Sequence, residues 1–357
     1  MADRAERLLA LLPEAEVDAL LVSALINVRY LTGFTGSNGL AVLGPQTRAF
    51  VTDFRYVEQA ADEVDPAYDR RQEPMNLTDA LPGALPSGQV RLGFDDENLT
   101  VSQHAKLRAL LPERIELVPA GGLVERLRAV KDAAEIERIR AASLLADEAF
   151  AELLESGLAG HTERELALAL VAAMQARGAQ GVAFDPIVAG GPHGALPHAS
   201  PRDVMLGGGQ LVVIDWGAEL DGYCSDCTRT VAVGEPGEHA REIYALVLSA
   251  QMTGLDAVKA GAGGRAVDAA ARAVIEEAGH GEHFGHGLGH GVGLEVHEGP
   301  NLSKRYDDEL ASGNVVTVEP GIYLPGELGV RIEDLVVVTD TGCEILTGLA
   351  KQLIVVG

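Results

Sequence analysis

The chain has 357 residues, of which 47% are hydrophobic and 23% charged, a composition typical of a globular protein with a buried core. Its formal net charge of −25 disfavours nucleic acid and acidic membrane surfaces as partners, because affinity for such polyanions comes chiefly from Lys and Arg. No apolar run approaches the roughly 18 residues that a membrane span needs. The three cysteines do not suit a disulfide scaffold, and the first residues are amphipathic rather than signal-like, so we expect a cytoplasmic protein.

The first third of the chain shows patterns of both helices and strands, as expected of an α/β domain. Helical patterns cover residues 5–12 and 102–111, and strand patterns cover residues 18–23, 39–43, 47–52, 90–94 and 115–118. A glycine-punctuated turn is predicted between residues 31 and 39. We place a domain boundary at Gly121-Gly122, so the predicted domains are residues 1–122 and 123–357.

Strand pairs and helix pairs interleave in the second part, which predicts an α+β domain. Helices are predicted over residues 127–154, 163–177, 240–259 and 265–278, and strands over residues 210–216, 227–233, 315–318 and 330–338. Thr162 and Glu165 have the spacing of a capping box, in which each side chain bonds the backbone of the other residue. This pair therefore marks the start of the second of these helices.

Five ionisable residues of the second part stand among apolar or glycine-rich neighbours. They are Asp215, Asp226, His290, Glu319 and Glu333. A buried carboxylate costs several kcal/mol unless a positive charge compensates it. Four carboxylates and one imidazole would together supply the oxygen-rich ligand set that two divalent metal ions prefer. The five residues therefore predict a two-metal hydrolytic centre.

Asp215 and Asp226 fall on two predicted strands that a short turn joins. A hairpin can place two such side chains next to each other on one face. Taken alone, the two residues could also be turn or capping aspartates. Cys224 and Cys227 have the spacing C-x-x-C, but residues three apart on a strand point to opposite faces. We therefore interpret the cysteines as small buried residues rather than as a disulfide or a zinc site.

Arg331 and Glu333 lie in one predicted strand, where alternate residues share a face. We therefore expect the guanidinium of Arg331 to contact the carboxylate of Glu333 and to fix its orientation. A surface ion pair is the alternative, and the apolar neighbours Ile332 and Leu335 argue against it.

Three histidines, His286, His290 and His297, are separated by glycines in the densest motif of the chain. Glycine lets the backbone approach other groups closely and permits positive φ angles. A dinucleotide-binding loop is excluded, because no suitable strand precedes the motif and histidines fill its variable positions. Any one of the three could be a core residue, but all three together indicate a site. His280 and His283 are expected to be exposed.

These motifs resemble the pita-bread metallopeptidases, and specifically their proline-specific branch of Xaa-Pro dipeptidases (prolidases) and Xaa-Pro aminopeptidases. The resemblance spans nearly the whole chain. It rests on residues 29–39 and 52–56 in the first part, and on Pro197-His198-Ala, Asp215-x-Gly, Ser225-Asp226-x-Thr-Arg-Thr, Gly289-His290-Gly, His297-Glu, Glu319-Pro-Gly-Ile-Tyr and Arg331-Ile-Glu333-Asp in the second. It implies a creatinase-like N-terminal α/β domain followed by a pita-bread α+β catalytic domain.

The resemblance also implies roles for individual residues. Two divalent metal ions per subunit would be bound by Asp215, Asp226, His290, Glu319 and Glu333, with Asp226 and Glu333 bridging the two ions. Mn²⁺ is the first expectation, and Zn²⁺ or Co²⁺ would also suit this ligand set. Glu319 would in addition shuttle a proton. The substrate carbonyl and the developing gem-diolate would be contacted by His198 and His297, with His286 lining the same pocket in support. Arg331 keeps the role, argued above, of fixing a carboxylate.

The resemblance leaves several functions to compare. Hydrolysis of Xaa-Pro dipeptides is favoured, and release of the first residue from longer Xaa-Pro peptides, as by aminopeptidase P, is the alternative. A methionine aminopeptidase is disfavoured by the additional N-terminal domain, and a creatinase or a non-catalytic pita-bread binding module by the complete ligand set. Lys304, Arg305 and Arg229 are all candidates for the cation that would bind a dipeptide carboxylate. A homodimer acting on short proline-containing peptides is implied.

Overall fold

The computed structural model describes residues 4–74 and 76–356, which fall into two compact units. The first unit ends at Arg128 and the second begins at Ala129. Each unit has a hydrophobic core of its own. None of the helices within the described ranges combines the length and the apolar character that a membrane crossing requires.

The first unit is built on one six-stranded mixed sheet, so the α/β prediction is confirmed. Its elements are α1 (Arg4–Leu11), β1 (Ala19–Val22), α2 (Leu25–Thr32), β2 (Gly39–Gly44), β3 (Thr47–Thr52), α3 (Val57–Glu63), β4 (Asp69–Gln72), α4 (Leu81–Ala84), β5 (Val90–Phe94), α5 (Val101–Leu110), β6 (Ile115–Pro119) and α6 (Leu123–Ala129). The strand order is β4-β3-β2-β1-β5-β6, in which β2 is antiparallel to both of its neighbours, β1 and β3, and the other neighbouring strands pair in parallel.

The second unit combines four long helices with two main sheets, and the α+β prediction is confirmed. Its elements are α7 (Ala133–Ser156), α8 (Glu163–Ala176), β7 (Gly181–Val182), β8 (Ile187–Gly190), β9 (Gln210–Trp216), β10 (Ala218–Leu220), β11 (Tyr223–Cys224), β12 (Cys227–Val233), α9 (Glu238–Ala257), α10 (Gly264–Glu277), β13 (Gly289–Gly291), β14 (Glu298–Leu302), β15 (Val315–Val318), β16 (Gly321–Leu324), β17 (Leu328–Arg331), β18 (Asp334–Val338), β19 (Cys343–Ile345) and β20 (Val355–Val356). The main sheets have the orders β20-β12-β9-β8 and β14-β13-β15-β18-β19.

The helix predicted over residues 127–154 is wrong, because the chain forms two helices there. Asp132 interrupts the pattern as the N-cap of α7, where its side chain accepts hydrogen bonds from Ala134 N and Glu135 N. Glu135 returns a bond to the backbone of Asp132, which completes a capping box. The residues between the helices instead bridge to another segment, through the pair Val130 and Asn314. The predicted capping box of Thr162 and Glu165 is confirmed at the start of α8.

The strand predicted over residues 330–338 is also divided, into β17 and β18. β17 pairs with β16 in a separate two-stranded sheet, whereas β18 pairs with β15 and β19. Ile332 and Glu333 form the link between the two strands, so the period-two argument for Arg331 and Glu333 does not apply across it. In the first unit, helix α2 was not predicted, and Gly33 ends it in the left-handed conformation (φ 86°).

Aromatic packing joins α7 to the sheet that contains β9. The rings of Phe150 and Trp216 stack with centroids 4.2 Å apart, and Trp216 Nε1 donates a hydrogen bond to Ala146 O. Both rings are fully buried. Burial of two such side chains stabilises the fold by several kcal/mol at about 25 cal/mol per Å². The contact anchors β9 one residue beyond Asp215.

A buried carboxylate in this core, that of Asp147, is incompletely compensated. Oδ2 accepts a hydrogen bond from Gly348 N (2.6 Å), while Oδ1 is buried without a partner among the described residues. Burial raises the pKa of Asp147 to about 6, although the Gly348 bond and the charge of Arg229 oppose the shift. The folded protein therefore binds this proton more tightly than the unfolded chain does.

Asp147→Asn should stabilise the protein above about pH 6. The carboxyl ionises near its ordinary pKa of about 4 in the unfolded chain. The stability that it contributes is therefore present at low pH, falls as the pH rises from about 4 to about 6, and stays low above that. A difference of about two pKa units corresponds to at most about 3 kcal/mol.

Thermal unfolding of the Asp147→Asn variant and the wild type between pH 4 and pH 8 measures this effect. The variant should have the higher Tm at pH 8, and the gap should shrink towards pH 4. Glu148→Gln, a change in the exposed neighbouring carboxylate, is the control and should show no such trend. A gap between Asp147→Asn and the wild type that is equal at both ends of the range contradicts the prediction.

Candidate metal centre

The hairpin of β9 and β12 brings Asp215 and Asp226 towards each other. The two strands pair antiparallel with Thr228 opposite Asp215, and Asp226 immediately precedes β12. The segment between them forms β10 and β11 around a turn in which Asp221 has a φ of 50°. Strand alternation from Thr228 places Asp226 on the face that Asp215 also occupies. The predicted hairpin is therefore present, with a further small hairpin inserted.

His290 and Glu319 come from the second main sheet. His290 is the middle residue of β13, and Glu319 directly follows β15, which pairs with β13 through Gly291 and Val316. Thr317 connects the two residues, because its Oγ1 accepts from His290 N (3.1 Å) and donates to Glu319 Oε1 (3.0 Å). His290 Nε2 lies 3.3 Å from Glu319 Oε1. One threonine hydroxyl thus fixes both groups.

Glu333, in the link between β17 and β18, contacts Thr228 of strand β12. Its backbone N donates to Thr228 O (3.1 Å), and Thr228 Oγ1 donates to Glu333 Oε2 (2.7 Å). The side chain is 1% exposed. Ligand atoms of Asp226, His290 and Glu333 all lie within 4.8 Å of one another. His290 Nε2 is 3.6 Å from Asp226 Oδ2, so these residues face one small space.

Arg331 pairs with Asp215 rather than with Glu333, which corrects the sequence-based expectation. Its Nη2 donates to Asp215 Oδ2 at 2.6 Å, its Nε to Thr228 Oγ1 at 3.0 Å and its Nη1 to Tyr323 OH at 2.8 Å. The side chain is 4% exposed. The physical reason is the break between β17 and β18, which ends the strand alternation on which the expectation depended. Arg331 and Glu333 do not pair with each other, and both bond the hydroxyl of Thr228 instead.

The crowding of carboxylates changes their protonation. Burial raises the pKa of Asp226 well above its usual range, and the neighbouring charges of Glu333 and Asp215 raise it further. Burial likewise raises the pKa of Glu333, with Glu319 and Asp215 adding to the shift. Arg331 offsets part of this repulsion at both residues. The site therefore favours additional positive charge.

Glu319 behaves differently because it is next to His290. Burial opposes ionisation, but the hydrogen bond and the charge of His290 lower the pKa of Glu319 to about 2. The same contact raises the pKa of His290 against the effect of burial. Glu319 is therefore ionised in neutral solution and is available as an acceptor.

The donor set fits divalent metal ions. Asp215 Oδ1 is buried and has no hydrogen-bond partner among the described residues, which is the state of a carboxylate oxygen available to a cation. Four carboxylates and one imidazole converge with one guanidinium, so the negative charge is in excess. Oxygen-rich ligation with one imidazole suits Mn²⁺, Co²⁺ or Zn²⁺ rather than a thiolate-preferring ion.

The other predicted histidines lie around this group. The rings of His290 and His297 have centroids 4.3 Å apart, and His297 is exposed. Burial lowers the pKa of His297, and the charges of His290 and His198 lower it further, so His198 is also close. His286 Nε2 lies 3.0 Å from Tyr323 OH. The described structure thus brings every predicted site residue to one region.

Three residues with clear positions at the site were not singled out from the sequence. Tyr323 links His286 to Arg331 through its hydroxyl, and Thr228 and Thr317 each bond two site residues. Thr228 and Tyr323 fall inside quoted motifs. Nothing in the sequence separates Thr317 from any other threonine of a strand.

The structure removes one candidate for the cation that would bind a dipeptide carboxylate. Arg229 is 1% exposed, and its guanidinium bonds Asp334 Oδ1 (2.8 Å) and several backbone carbonyls. It therefore supports the fold. Lys304 is exposed and pairs with Glu276 at 3.6 Å. Arg305 is exposed as well.

The glycines of the histidine motif serve close packing rather than unusual backbone angles. None of the glycines between residues 285 and 293 has a φ in the left-handed region. A Cβ at Gly289 would lie 2.0 Å from Thr317 O, whereas one at Gly285 would meet nothing within 4 Å. Gly289 therefore lets β13 approach β15 closely enough for His290 to bond Thr317.

The chain is similar to known proteins along almost its whole length. Residues 137–340 match Metallopeptidase family M24, and residues 4–130 match the Creatinase/Prolidase N-terminal domain. The Xaa-Pro dipeptidase of Pyrococcus furiosus is 36% identical over 99% of this chain and 100% of that protein. The structure of the Xaa-Pro dipeptidase from Bacillus anthracis has a TM-score of 0.95 at 41% identity, covering 99% of both chains. That of the X-Pro aminopeptidase from Thermotoga maritima has a TM-score of 0.90 at 40% identity, covering 99% of this chain and 100% of the other.

Thr228→Val should weaken metal binding. Valine keeps the shape but removes the hydroxyl that donates to Glu333 and accepts from Arg331. Loss of such an outer contact typically costs roughly 10–100-fold in metal affinity. Calorimetric titration of the metal-free wild type and variant with Mn²⁺ measures the change in dissociation constant. Thr228→Ser keeps the hydroxyl and should bind Mn²⁺ much as the wild type does; equal affinity for the valine variant contradicts the prediction.

Gly289→Ala should destabilise the protein by about 1–3 kcal/mol or more, because the added methyl overlaps the Thr317 carbonyl. By pushing β13 away from β15, the methyl group should also lower metal content, since His290 would lose its bond to Thr317. Gly285→Ala is the matched control in the same motif and should leave Tm and metal content unchanged. Equal Tm values for the two variants would show that Gly289 has no packing role.

Proposed function

The chain belongs to metallopeptidase family M24, and on that premise we propose that it hydrolyses the peptide bond before proline, acting mainly on Xaa-Pro dipeptides. It is an enzyme and a metal-dependent peptidase, not a non-catalytic binding module. The predicted creatinase-like N-terminal domain and pita-bread catalytic domain are confirmed by the two family matches and by the structural relatives. The preference for proline rests on the relatives named as Xaa-Pro dipeptidases.

The convergence of Asp226, His290 and Glu333, with Asp215 and Glu319 beside them, is the observation on which the chemistry rests. These five residues would bind two divalent metal ions, with Mn²⁺ expected first. Bound there, the ions would supply the positive charge that acidifies a water molecule and polarises a carbonyl.

The protein's own groups have distinct tasks in this proposal. Arg331 holds Asp215 in place, and Thr228 holds Glu333. The contacts of Glu319 with Thr317 and His290 both involve Oε1. Oε2 is therefore the atom that we assign to receive the proton of the attacking water and to return it to the leaving nitrogen.

The histidines would act on the substrate carbonyl. His297 is exposed beside His290, and His198 is exposed on a neighbouring segment. Imidazole N–H groups so placed can donate hydrogen bonds to the oxygen on which negative charge develops. His286 bonds the hydroxyl of Tyr323, which also accepts from Arg331, and so supports the position of Arg331.

Cleavage of longer Xaa-Pro peptides is the second candidate function. The X-Pro aminopeptidase from Thermotoga maritima matches this chain about as well as the dipeptidases do, at 40% identity. Burial of Arg229 also removes one of the three cations that could bind the carboxylate of a dipeptide. The homodimer and the cytoplasmic location remain predictions.

Peptide hydrolysis with defined metals tests the proposal. Metal-free protein is reconstituted with Mn²⁺, Zn²⁺ or Co²⁺ and assayed on Xaa-Pro, Xaa-Pro-Yaa and, as a control, Xaa-Ala peptides. Release of proline from Xaa-Pro is expected to be the fastest reaction. Cleavage of Xaa-Pro-Yaa without cleavage of Xaa-Pro would assign the enzyme to the aminopeptidases, and hydrolysis of no proline peptide would refute the proposal.

Asp226→Asn should lower kcat/KM for Xaa-Pro by more than the roughly 10–100-fold typical of outer contacts, because it removes a predicted ligand at nearly constant shape. Glu277→Gln changes an exposed carboxylate of α10 and should leave kcat/KM unchanged. Metal content is measured on both variants. An Asp226→Asn variant as active as the wild type would exclude this residue from the centre.

A further inference from the structure

The segment of residues 191–201 carries His198 to the site. It follows β8, begins with a 3-10 turn (Gly191–Ala195) and forms neither helix nor strand beyond that turn. Pro197 O accepts a hydrogen bond from Arg331 Nη1 (3.2 Å), so the residue before His198 touches the guanidinium that holds Asp215. His198 itself is exposed, and its placement therefore depends on what holds the rest of the segment.

Glu163, the first residue of α8, bonds this segment at both of its ends. Oε1 accepts from Gly190 N (3.0 Å) and Arg202 Nη2 (3.1 Å), and Oε2 accepts from Arg202 N (3.0 Å) and Arg202 Nε (3.1 Å). His193 Nδ1 lies 2.9 Å from Oε2, within the turn itself. One carboxylate thus connects residues at the start, within and at the end of the segment.

The charge of Glu163 is buried but well compensated. Its side chain is 1% exposed, and burial would raise its pKa. Hydrogen bonds from Arg202, Gly190 and His193 outweigh burial and lower the pKa of Glu163. Bonds to an ionised acceptor are about twice as strong as neutral ones, so the carboxylate is a strong anchor.

The turn also packs against β17. A Cβ at Gly329 would lie 1.8 Å from Gly194 O, so the two backbones are in direct contact. β17 ends at Arg331, which bonds Pro197 O. The segment is therefore held between Glu163 on one side and the strand that ends at Arg331 on the other.

We infer that Glu163 is a positioning residue, which acts on the reaction through His198 by fixing the segment of residues 191–201. The inference rests on the proposed function, because it assigns His198 to the substrate carbonyl. Glu163 does not belong to the predicted ligand set, and its named contacts all lie outside that set. Its effect should therefore appear in turnover rather than in metal content.

Glu163→Gln tests this assignment at nearly constant shape. The glutamine amide replaces one acceptor oxygen with an NH2 group, which would face the N–H donors of His193 or Arg202 and could not accept from them. The segment should therefore loosen. Misplacement of a contacting group by about 1 Å can cost roughly 100-fold, and we expect kcat on Xaa-Pro to fall roughly 10–100-fold with KM and metal content little changed. Glu165→Gln, in the same first turn but exposed and confined to the helix cap, should change kcat less than about twofold.

A double-mutant cycle with His198→Ala separates positioning from a general structural role. If Glu163 acts through His198, Glu163→Gln should add less than about threefold to the loss already caused by His198→Ala. Losses that multiply would overturn the inference. Should Glu163→Gln fail to fold, Arg202→Gln changes the half-exposed partner of the same carboxylate and has the same expected outcome in the cycle.

Amide hydrogen exchange of residues 191–201 provides a readout that does not depend on activity. Exchange should be faster in Glu163→Gln than in the wild type and in Glu165→Gln. Unchanged exchange would overturn the inference whatever the assays give. A wild-type protein that hydrolyses no proline peptide would instead refute the proposed function, while the exchange result would still decide whether Glu163 holds the segment.

Discussion

Mutual repulsion among buried carboxylates is the constraint on which the second unit depends. Asp215, Asp226, Glu319 and Glu333 are held together in one largely buried space, and burial raises the pKa of three of them. Such a cluster cannot be held by side chains alone, since each would move towards water if it could. Every member of the cluster lies in or directly next to a β-strand, where backbone hydrogen bonds fix its position.

Hydroxyl groups and one guanidinium then orient these carboxylates. Thr228 and Thr317 each serve two site residues, and Arg331 reaches Asp215, Thr228 and Tyr323. A threonine on a strand supplies a hydroxyl without leaving the sheet, so orientation is obtained at little cost in packing. The site is therefore specified by groups that are not themselves proposed ligands, and Glu163 extends the same logic to a segment outside the sheets.

The sequence predicted the architecture well, and the residues that it singled out converge in the structure, whereas the contacts among them were predicted less well. Buried strands such as β5 and β12 were located closely, because apolar runs and flanking turns mark them. The five charged residues stood out since each is unusual in apolar surroundings.

Arg331 was assigned to the wrong carboxylate because Ile332 and Glu333 interrupt a strand that looks continuous in hydrophobicity. Asp132 was overlooked as a cap for a similar reason: a helical period on both sides hid the break. Glu163 gave no local signal, since its partners are up to 39 residues away.

The contact between Thr228 and Glu333 joins residues 105 positions apart, and it has a consequence for the order in which the protein folds. A contact of such long sequence separation costs loop-closure entropy that local contacts do not, so we expect it to form late in folding. A nascent or partly folded chain would therefore contain the proposed ligand residues without containing the site. Ions captured early could bind only subsets of these ligands in other geometries. On the proposed assignment, metal loading would then follow closure of the sheets, so that the finished fold, rather than the individual residues, would set the metal preference.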